Sequence, residues 1–298
     1  MLYETRHTTT YKYSDSVDFC QNEVHLKPRD IVGMLERRQT LHRANLNVSP
    51  APDISLSRTD YFGNEVTFFS IHETHRELKV TATSLVEVHP FEPPMPELTP
   101  PWEQVRDLVR VHSTPAHLEA FQFTLESSYV RIAPSFADYA KKSFPATRPL
   151  FAAVADLNQR IYTEFDYDQT ATTIATPVDE VLTQRYGVCQ DFAHVMLCCL
   201  RSMGIPARYV SGYLRNDGEF IGAAASHAWV SVYLPDFGWI DFDPTNNVVP
   251  SDGHITIAWG RDYSDVSPLR GVALGGGAHD LDVVVDVKPV SAPIEPAA

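Results

Sequence analysis

The chain has 298 residues, with 24 Lys plus Arg against 38 Asp plus Glu, a formal net charge of −14 and a pI near 5.2. Hydrophobic residues make up 44%, which excludes global disorder, and a length of about 150 residues per domain predicts two domains. The acidic balance argues against nucleic acid or an anionic membrane surface as partner, and no apolar run reaches the ~18–20 residues of a membrane span.

Residues 1–89 read as a β-sandwich domain. Leu78, Val80, Ala82, Ser84, Val86 and Val88 alternate with polar neighbours, and Ala44, Leu46 and Val48 do so over a shorter stretch. Asp60-Tyr61-Phe62-Gly63-Asn64 separates two apolar runs, and Gly63-Asn64 suits a tight hairpin. Residues 90–145 read as a linker followed by short helices. Six prolines fall between Pro90 and Pro101, a composition that no helix or central strand tolerates. Residues 146–290 read as a helix-and-strand core with a C-terminal strand, Leu281 to Val287, able to pair with either half. Pro289 to Ala298 is expected to fray.

Within that core, Leu150 to Tyr162 predicts an amphipathic helix. Thr176-Pro177-Val178-Asp179 predicts a second helix, with Thr176 as N-cap. A third runs from about Cys189 to Met203, before Gly204-Ile205-Pro206. Strands are predicted over Ala207–Leu214, His227–Leu234 and Trp239–Phe242.

Cys189 falls in the first turn of its helix, where free N–H groups and the helix dipole stabilise an anion and so favour the nucleophilic thiolate. It shares a stripe with Phe192, Ala193, Met196, Leu200 and Met203. On that ground alone a buried structural cysteine is an equal alternative. His227 changes the balance. It opens one strand of a hairpin whose second strand ends in Asp243-Pro244-Thr245. A three-residue loop would set Thr245 opposite His227 and leave Asp243 as its diagonal neighbour on the same face, whereas a four-residue loop would turn Asp243 away. Cysteine, histidine and acid together fit a nucleophile, a base and an orienting group. His194 is expected to face away from Cys189, Cys198 and Cys199 to be packing, and Gln190 and Asp191 to flank the nucleophile.

Arg185-Tyr186-Gly187-Val188-Cys189-Gln190-Asp191-Phe192-Ala193, Met203-Gly204-Ile205-Pro206-Ala207-Arg208-Tyr209-Val210-Ser211-Gly212-Tyr213, Ser226-His227-Ala228-Trp229 and Asp243-Pro244-Thr245 resemble the bacterial transglutaminase-like superfamily. Arg6-His7-Thr8-Thr9-Thr10-Tyr11 and Asp60-Tyr61-Phe62-Gly63-Asn64 resemble its N-terminal β domain, and Gly260-Arg261-Asp262-Tyr263-Ser264-Asp265-Val266 its C-terminal extension. The resemblance implies an α+β fold with a papain-like core. It implies Cys189 as nucleophile, His227 as base and Asp243, in preference to Asp241, as the orienting acid, without metal or organic cofactor. A cysteine peptidase or amidase acting on a protein or peptide is expected, with transglutaminase acyl transfer by the same three residues. The alternative is a non-catalytic peptide-binding module. A Cys/His metal site is disfavoured, because Cys189 and His227 lack two further ligands at recognisable spacing. The chain opens without a basic stretch leading to an apolar one, and its cysteines suggest neither a disulfide framework nor a metal knuckle, so a cytoplasmic location is expected.

Overall fold

The structure is a computed structural model describing residues 1–33, 36–173 and 175–290. The N-terminal strands are β1 (Leu2–Val24), β2 (Ile31–Val32), β3 (Arg37–Ser49), β4 (Ile54–Thr59), β5 (Glu65–Ile71) and β6 (His75–Val88). Short helices follow: α1 (Trp102–Arg110), α2 (Pro115–Phe121), α3 (Pro134–Lys141) and the longer α4 (Leu150–Glu164). Next come β7 (Asp166–Tyr167), α5 (Val178–Gln184), β8 (Tyr186–Gly187) and α6 (Cys189–Ser202). The chain continues through β9 (Ala207–Leu214), β10 (His227–Leu234), β11 (Gly238–Phe242) and β12 (His254–Gly260), then α7 (Tyr263–Val266), β13 (Leu269–Gly275) and β14 (His279–Pro289).

β1 organises the N-terminal half. Its first part lies between β6 and β14, its second between β5 and β13, and its pairing with β6 is irregular between Lys12 and Val17. The two parts face each other across a core of Val17, Cys20, Val24, Phe69, Ile71, Leu78 and Val80. The predicted alternation of β6 is therefore one buried face of this sheet. The predicted C-terminal strand is β14, and it joins the N-terminal sheet.

In the second half, β11-β10-β9-β12 form an antiparallel sheet, and α6 lies against β9 and β10. A single hydrophobic cluster runs from α1, α3, α4 and α6 through this sheet to Tyr3, Val86, Val285 and Val287 of the N-terminal sheet. Among the described residues, no helix is long and apolar enough to cross a membrane.

Two local expectations differ from the structure. The N-cap of α5 is Pro177, without a side-chain cap, while the Thr176 hydroxyl accepts from the Thr173 N–H at 3.0 Å. The expected apolar stripe on α6 widens into a nearly continuous buried surface, because α3, α4 and α5 pack against the side away from the sheet. Most of the tail expected to fray lies outside the described residues.

Candidate active site

The start of α6 is built by its own sequence. Asp191, in the first turn, reaches back so that its Oδ2 accepts from the Val188 N–H at 2.9 Å, one arm of a capping box, and the Thr172 hydroxyl donates to the same oxygen at 2.6 Å. A Cβ at position 187 would sit 2.6 Å from that oxygen, so the glycine of Tyr186-Gly187-Val188 is what lets Asp191 fold back. Asp191 thus holds the helix start that presents Cys189, and burial pushes its carboxyl up.

The hairpin of β10 and β11 has the three-residue loop that the site requires. Leu234 pairs with Gly238 and Val230 with Phe242, so the register carried on places position 245 opposite His227. Asp236 and Gly238 take φ of 68° and 77°, the left-handed conformations that let so short a loop close. His227 pairs with Gly212 of β9. There a Cβ would meet Ile255 O at 2.2 Å and the Trp229 ring at 2.4 Å, so glycine is required where the Trp229 ring crosses the strand.

The structure brings His227 and Asp243 into direct contact. His227 Nε2–H donates to Asp243 Oδ2 at 2.9 Å, with both side chains fully buried. With Nε2 so committed, Nδ1 is the ring nitrogen left over, and the Cys189 thiol lies near enough to act on the ring by its charge. Among the described residues Nδ1 has no hydrogen-bond partner. Burial alone would depress the imidazolium, but the Asp243 carboxylate and the Cys189 thiolate outweigh it and hold His227 at about 10. Burial likewise opposes ionisation of Asp243, and the His227 cation with its hydrogen bonds holds the carboxyl far below the usual range. A protonated imidazole between two acidic groups is poised to release its Nδ1 proton. The loop before β10 overhangs this edge: a Cβ on Gly222 would lie 3.2 Å from His227 Nδ1 and 3.4 Å from the Tyr167 hydroxyl.

Asp243 accepts more than the sequence reading foresaw. The Thr245 and Asn246 N–H groups donate to Oδ1 at 2.9 and 3.2 Å, and Asn246 Nδ2 donates to Oδ2 at 2.8 Å. His254, which the sequence reading did not single out, donates from Nε2 to Oδ2 at 3.0 Å. The one available signal was the alternation of His254, Thr256 and Ala258 around Ile255 and Ile257, which marks a strand but not its register. Asp241 instead accepts from Trp229 Nε1 at 3.0 Å.

His194 is stacked between Tyr129 and Tyr209, and burial lowers it to about 4. Cys198 and Cys199 are fully buried. The candidate ligand atoms of His227, Asp243 and His254 lie within 4.8 Å of one another, the one such group among the described residues. Both histidines aim an N–H at a carboxylate oxygen at hydrogen-bond length, not a lone pair at a shared point, and Cys189 is not in the group. The donor set is that of a hydrogen-bonded network.

Residues 137–244 match the transglutaminase-like superfamily, and residues 3–87 match the bacterial transglutaminase-like N-terminal region. An uncharacterized protein of Mycobacterium tuberculosis is 41% identical over 96% of this chain and 92% of its own length. A protein-glutamine gamma-glutamyltransferase of Pseudomonas aeruginosa is 38% identical over 33% of this chain and 16% of its own. A Cytophaga hutchinsonii protein described as a candidate cysteine protease superposes with a TM-score of 0.76, covering 99% of this chain and 93% of the other. At 21% identity that likeness shows the shared fold alone.

Proposed function

Because the chain belongs to the transglutaminase-like superfamily, a family of thiol-dependent amide-bond enzymes, we propose that it cleaves amide bonds of a protein or peptide through an acyl-thioester on Cys189. The observation that carries this reading is the orientation of His227: Nε2 is fixed on Asp243 at 2.9 Å, and Nδ1 is buried and unpartnered.

The Cys189 thiolate attacks the amide carbonyl and forms a tetrahedral oxyanion. The first N–H groups of α6 have no intrahelical acceptor, and the Cys189 N–H is the donor closest to that oxygen by its place in the chain. His227 gives its Nδ1 proton to the leaving nitrogen, the C–N bond breaks, and the amine departs. Water then attacks the thioester carbonyl while His227 takes its proton, the C–S bond breaks, and an acid and the thiolate are released. Asp243 takes no proton in either half; it holds the ring and stabilises its cation.

An amine in place of water gives transglutamination by the same steps. We place hydrolysis first, because it needs only water, whereas crosslinking needs a second groove for an amine-bearing side chain.

Intact-mass analysis with a glutamine peptide, with and without a primary amine, tests the proposal. A transient adduct mapping to Cys189, with deamidated or cleaved peptide, is the expected result. Reversible peptide binding with no adduct and no product would instead establish a binding module.

A further inference from the structure

Alternation along the core strands turns Tyr209 toward His194 of α6 and Arg208 toward the opposite face, which also carries Tyr233, Trp239, Asp241, His254 and Trp259. The N-terminal sheet covers part of this face. Gln39 donates to Thr256 O at 2.7 Å and accepts from the Thr256 N–H at 2.9 Å. Asn64 accepts from the Trp259 N–H at 3.0 Å and donates to its carbonyl at 2.9 Å. The seam leaves a cavity of about 380 Å³ between Arg38, Phe91 and Val88 on one side and Arg208, Trp239 and Trp259 on the other.

Arg208 is only 6% exposed. Its guanidinium carbon lies 3.7 Å from the Trp259 ring centre and 4.4 Å from that of Trp239, so indoles flank the group. Its Nε is buried without a hydrogen-bond partner. Among the described residues no carboxylate pairs with it; Asp241 and, more weakly, Glu119 act on it only through their fields. Burial lowers the group to about 9, so it is still a cation at neutral pH. A buried cation without a partner is unfavourable. A planar guanidinium flanked by rings has only its edge left to offer, and that edge matches a carboxylate in two parallel N–H···O bonds.

The cavity's charged groups are Arg38 and Arg208 against Asp241, with the exposed Glu119 at the rim. Asp241 already accepts from Trp229. What the cavity leaves over is the buried, unpaired Arg208 guanidinium, beside Phe91, Tyr233, Phe237, Trp239 and Trp259. A polyanion would find too few donors there, while an acid with an apolar body fits both the charge and the lining. The volume suits a ligand the size of a blocked amino acid or a dipeptide.

We propose that this cavity is a binding site for an organic carboxylate with an apolar body, gripped edge-on by Arg208 and lying against Phe91, Phe237 and the two tryptophans. None of Cys189, His227 and Asp243 lines the cavity, though His254, which donates to Asp243, does; the proposal does not depend on the amide-cleavage reading.

The test uses the full chain carrying Cys189→Ala, so that no thiol chemistry contributes. N-acetyl-phenylalanine is compared with N-acetyl-phenylalaninamide, which has the same body and no charge, by calorimetry and thermal unfolding. The acid is expected to bind at millimolar concentration or below, at least tenfold tighter than the amide, and to raise the Tm by ligand linkage. Arg208→Met, which keeps an apolar stem between the indoles, is expected to bring the acid down to the amide's affinity. Equal binding of acid and amide, no binding of the acid, or full binding in a folded Arg208→Met protein would overturn the proposal. The acid–amide comparison stands without the variant should that variant fail to fold.

Discussion

His254 and His227 approach one carboxylate oxygen from two different strands: each donates from Nε2 to Asp243 Oδ2, at 3.0 and 2.9 Å. With Asn246 Nδ2 on the same oxygen and two backbone N–H groups on Oδ1, the acid has five donors. So many donors keep a buried carboxylate ionised and hold it still, and a still carboxylate fixes the tautomer and tilt of His227.

Asp243→Asn should therefore keep the fold and lower kcat/KM by about 10³–10⁴-fold, as the equivalent change does in a Ser-His-Asp enzyme. Asp241→Asn, which touches Trp229 and not His227, should cost far less. Steady-state rates of the two variants decide between the acids. The assignment fails if Asp243→Asn stays within twofold while Asp241→Asn is inactive.

His254 is a positioning residue in this reading. His254→Leu should lower kcat about tenfold, the loss of one hydrogen bond to a charged group (~1.5 kcal/mol), with little change in KM. His254→Gln still offers an N–H and should recover part of the loss. A merely structural role predicts that both variants lose Tm and that any remaining activity per folded molecule is normal.

The thiols should separate by reactivity. Burial pushes Cys198 up to about 12 and raises Cys199 and Cys20 as well, whereas Cys189 has a helix start and a buried imidazolium beside it. In folded protein near pH 6, a small excess of iodoacetamide should label Cys189 far faster than the other three, in step with loss of activity. His227→Ala should slow that labelling. Peptide mapping after short exposures gives the rates, and equal labelling of Cys189 and Cys20 would count against an activated nucleophile.

The same ion pair predicts how stability varies with pH. Burial, which lowers His227, is outweighed by Asp243 and the thiolate, so the folded value of about 10 lies above the ordinary 6.5. Its contribution is complete below pH 6.5 and is lost as the pH climbs from 6.5 toward about 10. Asp243 is displaced the other way, so its contribution is present above 3.8 and is lost as the pH falls below that value. Urea midpoints of the wild type should thus drop between neutral pH and about 10 by more than those of Asp243→Asn. Parallel curves would show that the pair does not form.

A fragment beginning at Trp102 should not fold alone. β13 and β14 would lose β1, their partner along nearly their whole length, and the core cluster would lose Tyr3, Val86 and Val88. Circular dichroism and size-exclusion of the fragment, against the full chain, give the answer; a folded, active fragment would show the N-terminal sheet to be dispensable.

Much of the site was legible because it is local or set by short-range register. A cysteine after Tyr186-Gly187-Val188 reads as a helix start, but the face shared by His227 and Asp243 was legible only on condition of an odd loop, and the three-residue loop is a finding of the structure. His254 was not legible. It reaches Asp243 because β12 pairs with β9, which pairs with β10, and no spacing along the chain encodes two strand registers in series. Nor could the interlock of Gln39 with Thr256, 217 residues apart, be read from either sequence neighbourhood. The C-terminal strand was visible as alternation, but alternation gives a face and not a partner.

That partner has a consequence for how the molecule is made. β1 has β13 and β14 as partners over most of its length, so its neighbours on one side are synthesised long after it. Until those strands emerge, Tyr3, Val17 and Cys20, all buried in the folded protein, belong to a strand with an open edge. Such edges are what chaperones shield and what neighbouring nascent chains pair with. Closure of this sheet waits for β13 and β14, and the core hairpin that carries His227 can form before it.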